Sequence, residues 1–169
     1  NTTFLFAHAP FVGAYHFGRP DLHSESNAPA KERANFDEVI EDCGVKLDFL
    51  PVYDFEKGDK TRDSWNVQYA VEWRPGIIYT AQWAIDLLAS EDRYRLAESG
   101  AKLWFADYVK DHIQTGPRDK IDPWSQWHLW QHTAKYLSSS VLNRYGKPSK
   151  IDMNWTHKGR LGSLLKYGC

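Results

Sequence analysis

Residues that can do chemistry are concentrated in one short segment, Tyr53-Asp54-Phe55-Glu56. Side chains alternate along an extended strand, so Asp54 and Glu56 are expected on one face, with Cβ atoms roughly 6.5–7 Å apart. Carboxyl groups that close do not ionise independently. Repulsion and partial desolvation raise one pKa, leaving a proton donor near neutral pH beside an anion. Glycoside hydrolysis needs that pairing, an acid for the leaving oxygen and a negative group near the oxocarbenium-like centre. A solvated acidic strand end, or a cation site, is the competing reading of D-x-E, but no D-x-D-x-D-G loop accompanies it. Other chemistries lack their signatures. G-x-S-x-G is absent, neither Cys43 nor Cys169 sits in a reactive or zinc-spaced setting, and His128 and His132 have metal-ligand spacing only on an expected strand, where it defines no common helical face.

The elements that must position such a pair follow from periodicity. Short apolar runs predict strands over 12–17, 49–56, 77–80, 103–108, 127–133 and 151–154; amphipathic stretches predict helices over 27–42, 63–73 and 82–100. Gly44 and Gly100 stand where helices end, and the polar stretch 138–150 is expected to be a loop. This alternation predicts an α/β fold with a largely parallel sheet or barrel. In such folds active sites gather at the carboxyl ends of the strands. Those ends carry Tyr15 and His16, Asp54 and Glu56, Tyr79 and Thr80, Asp107 and Tyr108, Gln131 and His132, and Asp152 and Asn154.

Composition narrows the classes further. The 169 residues include 21 basic and 22 acidic side chains, a formal net charge of -1, which argues against a nucleic-acid binder that relies on phosphate neutralisation. No apolar run approaches the ~18 residues of a membrane span, so neither nucleic acid nor membrane is an expected partner. Eight Trp, nine Tyr and eight Phe are an aromatic excess; core packing is the expected role of most of them, and the same residue types also line grooves that stack on flat apolar faces, including sugar rings. The two cysteines are far apart, and a free structural thiol at Cys43 is the simpler expectation. The start, Asn1-Thr-Thr-Phe-Leu-Phe-Ala7, lacks the charged n-region of a signal peptide.

In the order of the chain, Gly13-Ala-Tyr-His-Phe17, Leu50-Pro-Val-Tyr-Asp-Phe-Glu56, Pro75-Gly-Ile-Ile-Tyr-Thr80, Leu103-Trp-Phe-Ala-Asp-Tyr108, Leu129-Trp-Gln-His-Thr133 and Ile151-Asp-Met-Asn154 resemble the strand-end segments of the glycoside hydrolase family 25 lysozymes, the Chalaropsis-type N-acetylmuramidases. The resemblance spans nearly the whole chain, residues 1–169, read as one catalytic domain. It implies a modified (β/α) TIM-like barrel that hydrolyses the β-1,4 bond between N-acetylmuramic acid and N-acetylglucosamine in peptidoglycan, with no metal or organic cofactor. By position, Glu56 matches the general acid, Asp54 the carboxylate that assists the substrate's 2-acetamido group, and Asp152 the acidic residue of the last strand. Tyr15, His16, Tyr79, Trp104, Asp107 and Gln131 match residues of the sugar groove. Such an enzyme acts on the cell wall, secreted or delivered by a phage.

In that family two strands precede the first matching segment. A barrel of ~250 residues spends roughly 31 on each βα unit, so a chain of this length supplies about five to six units. The barrel is therefore expected to lack its first two strands in this chain. An upstream segment or a second polypeptide would complete it, unless the protein is a shortened relative. The alternative function is a non-catalytic peptidoglycan-binding or structural relative, for example a phage particle component; another is an enzyme acting on a different glycan such as chitin.

Overall fold

A computed structural model of the chain describes residues 12–19, 26–56, 63–108, 116–117, 121–142, 148–156 and 161–164. The elements run β1 (Tyr15–Phe17), α1 (Ala28–Asp42), β2 (Val52–Asp54), α2 (Asp63–Glu72), β3 (Ile77–Ala81), α3 (Gln82–Ile85), α4 (Ser90–Glu98), β4 (Lys102–Ala106), β5 (Leu129–Leu142) and β6 (Pro148–Thr156), with a 3-10 turn at Leu161–Leu164. The strands form one sheet in sequence order. β1 to β5 pair parallel, and β5 pairs antiparallel with β6. Parallel neighbours need crossovers, and α1, α2 and the α3–α4 pair supply the first three.

Local sequence explains these helices. In α1, Ala28, Glu32 and Phe36 recur at four-residue spacing and are buried, Pro29 stands in the first turn, and Gly44 ends the segment at φ 62°, a conformation glycine adopts without a Cβ clash. The main core lies between the helices and one face of the sheet, where Tyr53, Phe55, Ile78, Leu103 and Phe105 meet Val67, Ala70, Trp73 and Leu96. The opposite face holds a smaller cluster, Val52, Ile77 and Leu164, against which Tyr79, Trp104 and Leu129 pack. The 3-10 turn is fixed beneath β2 by the Leu50 N–H, which donates to the Leu164 carbonyl at 2.9 Å.

Two elements depart from the sequence reading. The helix expected over 82–100 is broken between Ile85 and Ser90. Ala89 is extended at the break (ψ 152°), Leu88 is buried, and Ser90-Glu91-Asp92 begins a new helix with acidic residues in its first turn. The loop expected over 138–150 is instead largely sheet. β5 runs to Leu142 and β6 starts at Pro148, with Leu137 opposite Lys150 and Ser138 opposite Ser149. Serine-rich sequence has weak strand preference of its own, and pairing across the hairpin supplies what propensity does not. The last connection is thus antiparallel in a sheet expected to be largely parallel.

Candidate active site

At the carboxyl ends of the parallel strands lies a cleft of about 290 Å³, lined by Asp54, Glu56, Tyr15, Tyr79, Trp104, Tyr108, Gln131, Asn154 and Val52. Alternation accounts for the first two. Asp54 ends β2, and although the strand proper stops there, the chain stays tied to β3 for one more residue. The Phe55 N–H donates to the Tyr79 carbonyl at 2.8 Å, and the Thr80 hydroxyl donates to the Phe55 carbonyl at 3.0 Å. Phe55 is thereby buried on the helix side, and Glu56 returns to the side of Asp54. On the other flank the Gly18 N–H donates to the Asp54 carbonyl at 3.1 Å. A side chain at Gly18 would collide with the Tyr53 hydroxyl, so glycine lets β1 close on β2 beside the acid.

The electrostatics are those of a desolvated acidic pair. Burial, reinforced by the Glu56 carboxylate, pushes Asp54 up to about 7 from 3.8, and burial raises Glu56 above its ordinary value as well. Asp54 Oδ1 is closed off from solvent with no hydrogen-bond partner among the described residues, and neither lysine nor arginine is among the described residues that line the cleft. One proton is therefore retained by the pair near neutral pH. It is held more firmly on Asp54, the more enclosed of the two, than on Glu56, where the resemblance places the acid.

The rest of the cleft is an aromatic and amide surface. The Tyr79 and Trp104 rings meet edge to face at 5.1 Å. The Tyr79 hydroxyl donates to Gln131 Oε1 at 2.5 Å, and the Tyr108 hydroxyl donates to the same oxygen at 3.1 Å. The two phenols thus converge on Gln131 Oε1, which anchors both rings along the cleft wall. Burial, with the Glu56 carboxylate adding to it, holds the Tyr79 phenol far above its ordinary pKa. Trp104 Nε1–H donates to Asn154 Oδ1 at 2.9 Å, fixing the indole at the rim. Tyr15 is 45% exposed and presents a free aromatic face.

Of the residues singled out by sequence, the cleft gathers Asp54, Glu56, Tyr15, Tyr79, Trp104 and Gln131. Two are placed elsewhere. His16 is buried on the helix side of β1, stacked on Trp73 at 5.1 Å and hydrogen-bonded through Nε2 to Glu32 Oε1 at 2.5 Å. Neighbouring strand residues face opposite ways, so Tyr15 in the cleft excludes His16 from it. Asp107 is buried and absent from the lining; its backbone N–H donates to the Gln131 carbonyl and its carbonyl accepts from Trp130 Nε1. Asp152 lies in β6, two residues before Asn154, and its side chain is outside the described set. Tyr108 and Asn154 belong to the strand-end polar groups read from sequence but were not among the site residues, and Val52 carries no chemical signal at all. Cys43 is an exposed free thiol, whereas Cys169, His8, His23, His112 and His157 fall outside the described residues. His128 is buried, its Nδ1 accepting from the Leu103 N–H at 3.3 Å.

A model of the glycosyl hydrolases of family 25 matches residues 7–141. Among solved structures, that of the Clostridium perfringens spore cortex lytic enzyme SleM is similar in fold, with a TM-score of 0.63 and 24% sequence identity over 90% of this chain. The match covers 51% of the SleM chain, so this sequence spans about half of that protein's length. No curated protein sequence matches the chain.

Proposed function

The chain belongs to the glycosyl hydrolases of family 25, and on that premise we propose that it is a peptidoglycan hydrolase, a muramidase cleaving the β-1,4 bond between N-acetylmuramic acid and N-acetylglucosamine. The observation that carries this reading is the placement of Asp54 and Glu56 together in one desolvated, aromatic cleft without a cationic partner among the described lining residues. A structural acidic pair would be neutralised by lysine or arginine; this pair keeps a proton available for transfer. The fold neighbour SleM, a spore cortex lytic enzyme, supports the same reading.

In the proposed reaction Glu56 protonates the glycosidic oxygen as the bond to the anomeric carbon breaks. Asp54 accepts from the N–H of the 2-acetamido group and aligns its carbonyl oxygen for attack on the anomeric carbon. Water then opens the cyclic intermediate, giving up a proton to Glu56. The two carboxyls hold one proton between them, and the substrate decides which carries it, because a bound glycosidic oxygen and acetamide N–H reward the Glu56-protonated arrangement. Tyr15, Tyr79, Trp104 and Gln131 would hold the sugar rings, and Asp152 would supply the further acid from β6. We read residues 1–169 as one catalytic domain, and the six-stranded sheet as the greater arc of a (β/α) barrel completed by strands beside β1.

Glu56→Gln tests the reading. Loss of a general acid typically lowers the rate about 10²–10⁴-fold, so release of reducing sugar from purified walls should fall by at least about a hundredfold with little change in melting temperature. Unchanged sugar release would remove Glu56 from the mechanism. Walls that sediment with the wild-type protein and release no sugar would make it a binding relative.

A further inference from the structure

At the other end of β4 from the cleft is a second cavity, of about 410 Å³, at the amino ends of β4 and β5 and the carboxyl end of α4. Lys102 opens β4 on this side and Tyr108 follows it on the cleft side, six residues or roughly 20 Å away. The two sites share no lining residue. We propose that this second cavity is a glycan-holding site, which binds another stretch of the polymer that the cleft cuts. The proposal rests on the hydrolase reading for the identity of the polymer.

The chemistry of the walls selects that ligand. Tyr94 stands on α4, 53% exposed, and lines the cavity, where its ring offers a flat aromatic surface to a ligand. Trp124, 8% exposed, packs as a second aromatic wall behind it. Glu98, Lys102 and Gln126 add a carboxylate, an ammonium and an amide around the aromatic surfaces. α4 ends here at Glu98, so its last-turn carbonyls, the negative end of the helix dipole, offer further acceptors to hydroxyl and amide donors. Flat apolar faces rimmed by hydroxyls and amides, as in a 2-acetamido sugar chain, match aromatic walls with mixed donors and acceptors. A second contact on an insoluble polymer raises the effective concentration of cleavable bonds at the cleft without altering the chemistry there.

The test separates holding from cutting. Purified insoluble peptidoglycan is incubated with Glu56→Gln protein, which cannot digest it in the proposed mechanism, with and without Tyr94→Ala or Gln126→Ala, and the retained fraction is measured by sedimentation. Both second substitutions fall on exposed residues, and thermal melts verify that each variant folds. Tyr94→Ala is expected to weaken wall binding about ten-fold, the scale of one lost aromatic contact, and Gln126→Ala to weaken it less. Tyr94→Ala in the Glu56-containing protein is expected to leave turnover of soluble peptidoglycan fragments unchanged while slowing lysis of insoluble walls. Wall binding indifferent to both substitutions overturns the second site and leaves the hydrolase reading standing. Tyr94-dependent retention by a wild-type protein that releases no sugar supports the second site and overturns the hydrolase.

Discussion

Replacing Asp54 with asparagine should stabilise the protein above neutral pH while damaging the proposed reaction. The folded-state pKa of Asp54 is about 7 against 3.8 for a free side chain. Below pH 3.8 the carboxyl is protonated in both folded and unfolded chains and contributes nothing. As pH rises from 3.8 towards 7 the unfolded chain ionises while the folded one retains its proton, so stability falls; above 7 both are ionised and the penalty is constant. About three pH units at about 1.4 kcal/mol each set a ceiling of about 4 kcal/mol. The carboxyl lines an open cleft, and solvent screening brings the expected penalty to about 2 kcal/mol. Asparagine keeps the shape of the protonated acid and cannot ionise. Urea unfolding followed by tryptophan fluorescence should therefore show equal stability for the two proteins near pH 4. Above pH 8 the midpoint for Asp54→Asn should be about 1 M higher, taking a urea slope of about 2 kcal/mol/M for a domain of this size. A stability difference that does not change between pH 4 and pH 8 would refute burial of an unpaired carboxyl as the source of the raised pKa.

The same acidic pair predicts the pH dependence of activity. Once the retained proton leaves, no acid remains, so kcat/KM for wall hydrolysis should fall as pH rises through about 7; a rate that stays level to pH 9 would contradict this. Beneath the cleft, His16→Ala should remove a buried partner of Glu32, whose second oxygen is already unpaired among the described residues, and cost about 2 kcal/mol or more by chemical denaturation. Because His16 does not line the cleft, KM for soluble fragments should stay within about twofold; a large rise in KM with unchanged stability would return it to the substrate groove.

Much of the site was legible because strand chemistry is local. The two-residue spacing of Asp54 and Glu56 settles that they share a face, and a backbone tie from Phe55 to β3 is enough to extend that geometry past the end of β2. Helix ends at Gly44 and Gly100 follow in the same way, since both glycines sit at positive φ. Adjacent residues were the difficulty. Tyr15 and His16, and Asp107 and Tyr108, were both attractive as pairs of polar strand-end groups, yet alternation lets only one member of each face the cleft. Nothing local says which one.

The amino-acid order by itself determined which side chains travel together: the acidic pair, the aromatic strand ends and the register of apolar runs with helices between them. Only the tertiary structure decided which face of each strand meets the cleft, that Asp54 rather than Glu56 carries the larger rise in pKa, and that the serine-rich stretch after Leu137 becomes half of an antiparallel hairpin. The physical reason is common to all three. Periodicity is a property of neighbours along the chain, whereas desolvation, face selection and strand pairing depend on groups brought close from far away in sequence, such as Tyr79 and Gln131, which are 52 residues apart and joined by one hydrogen bond.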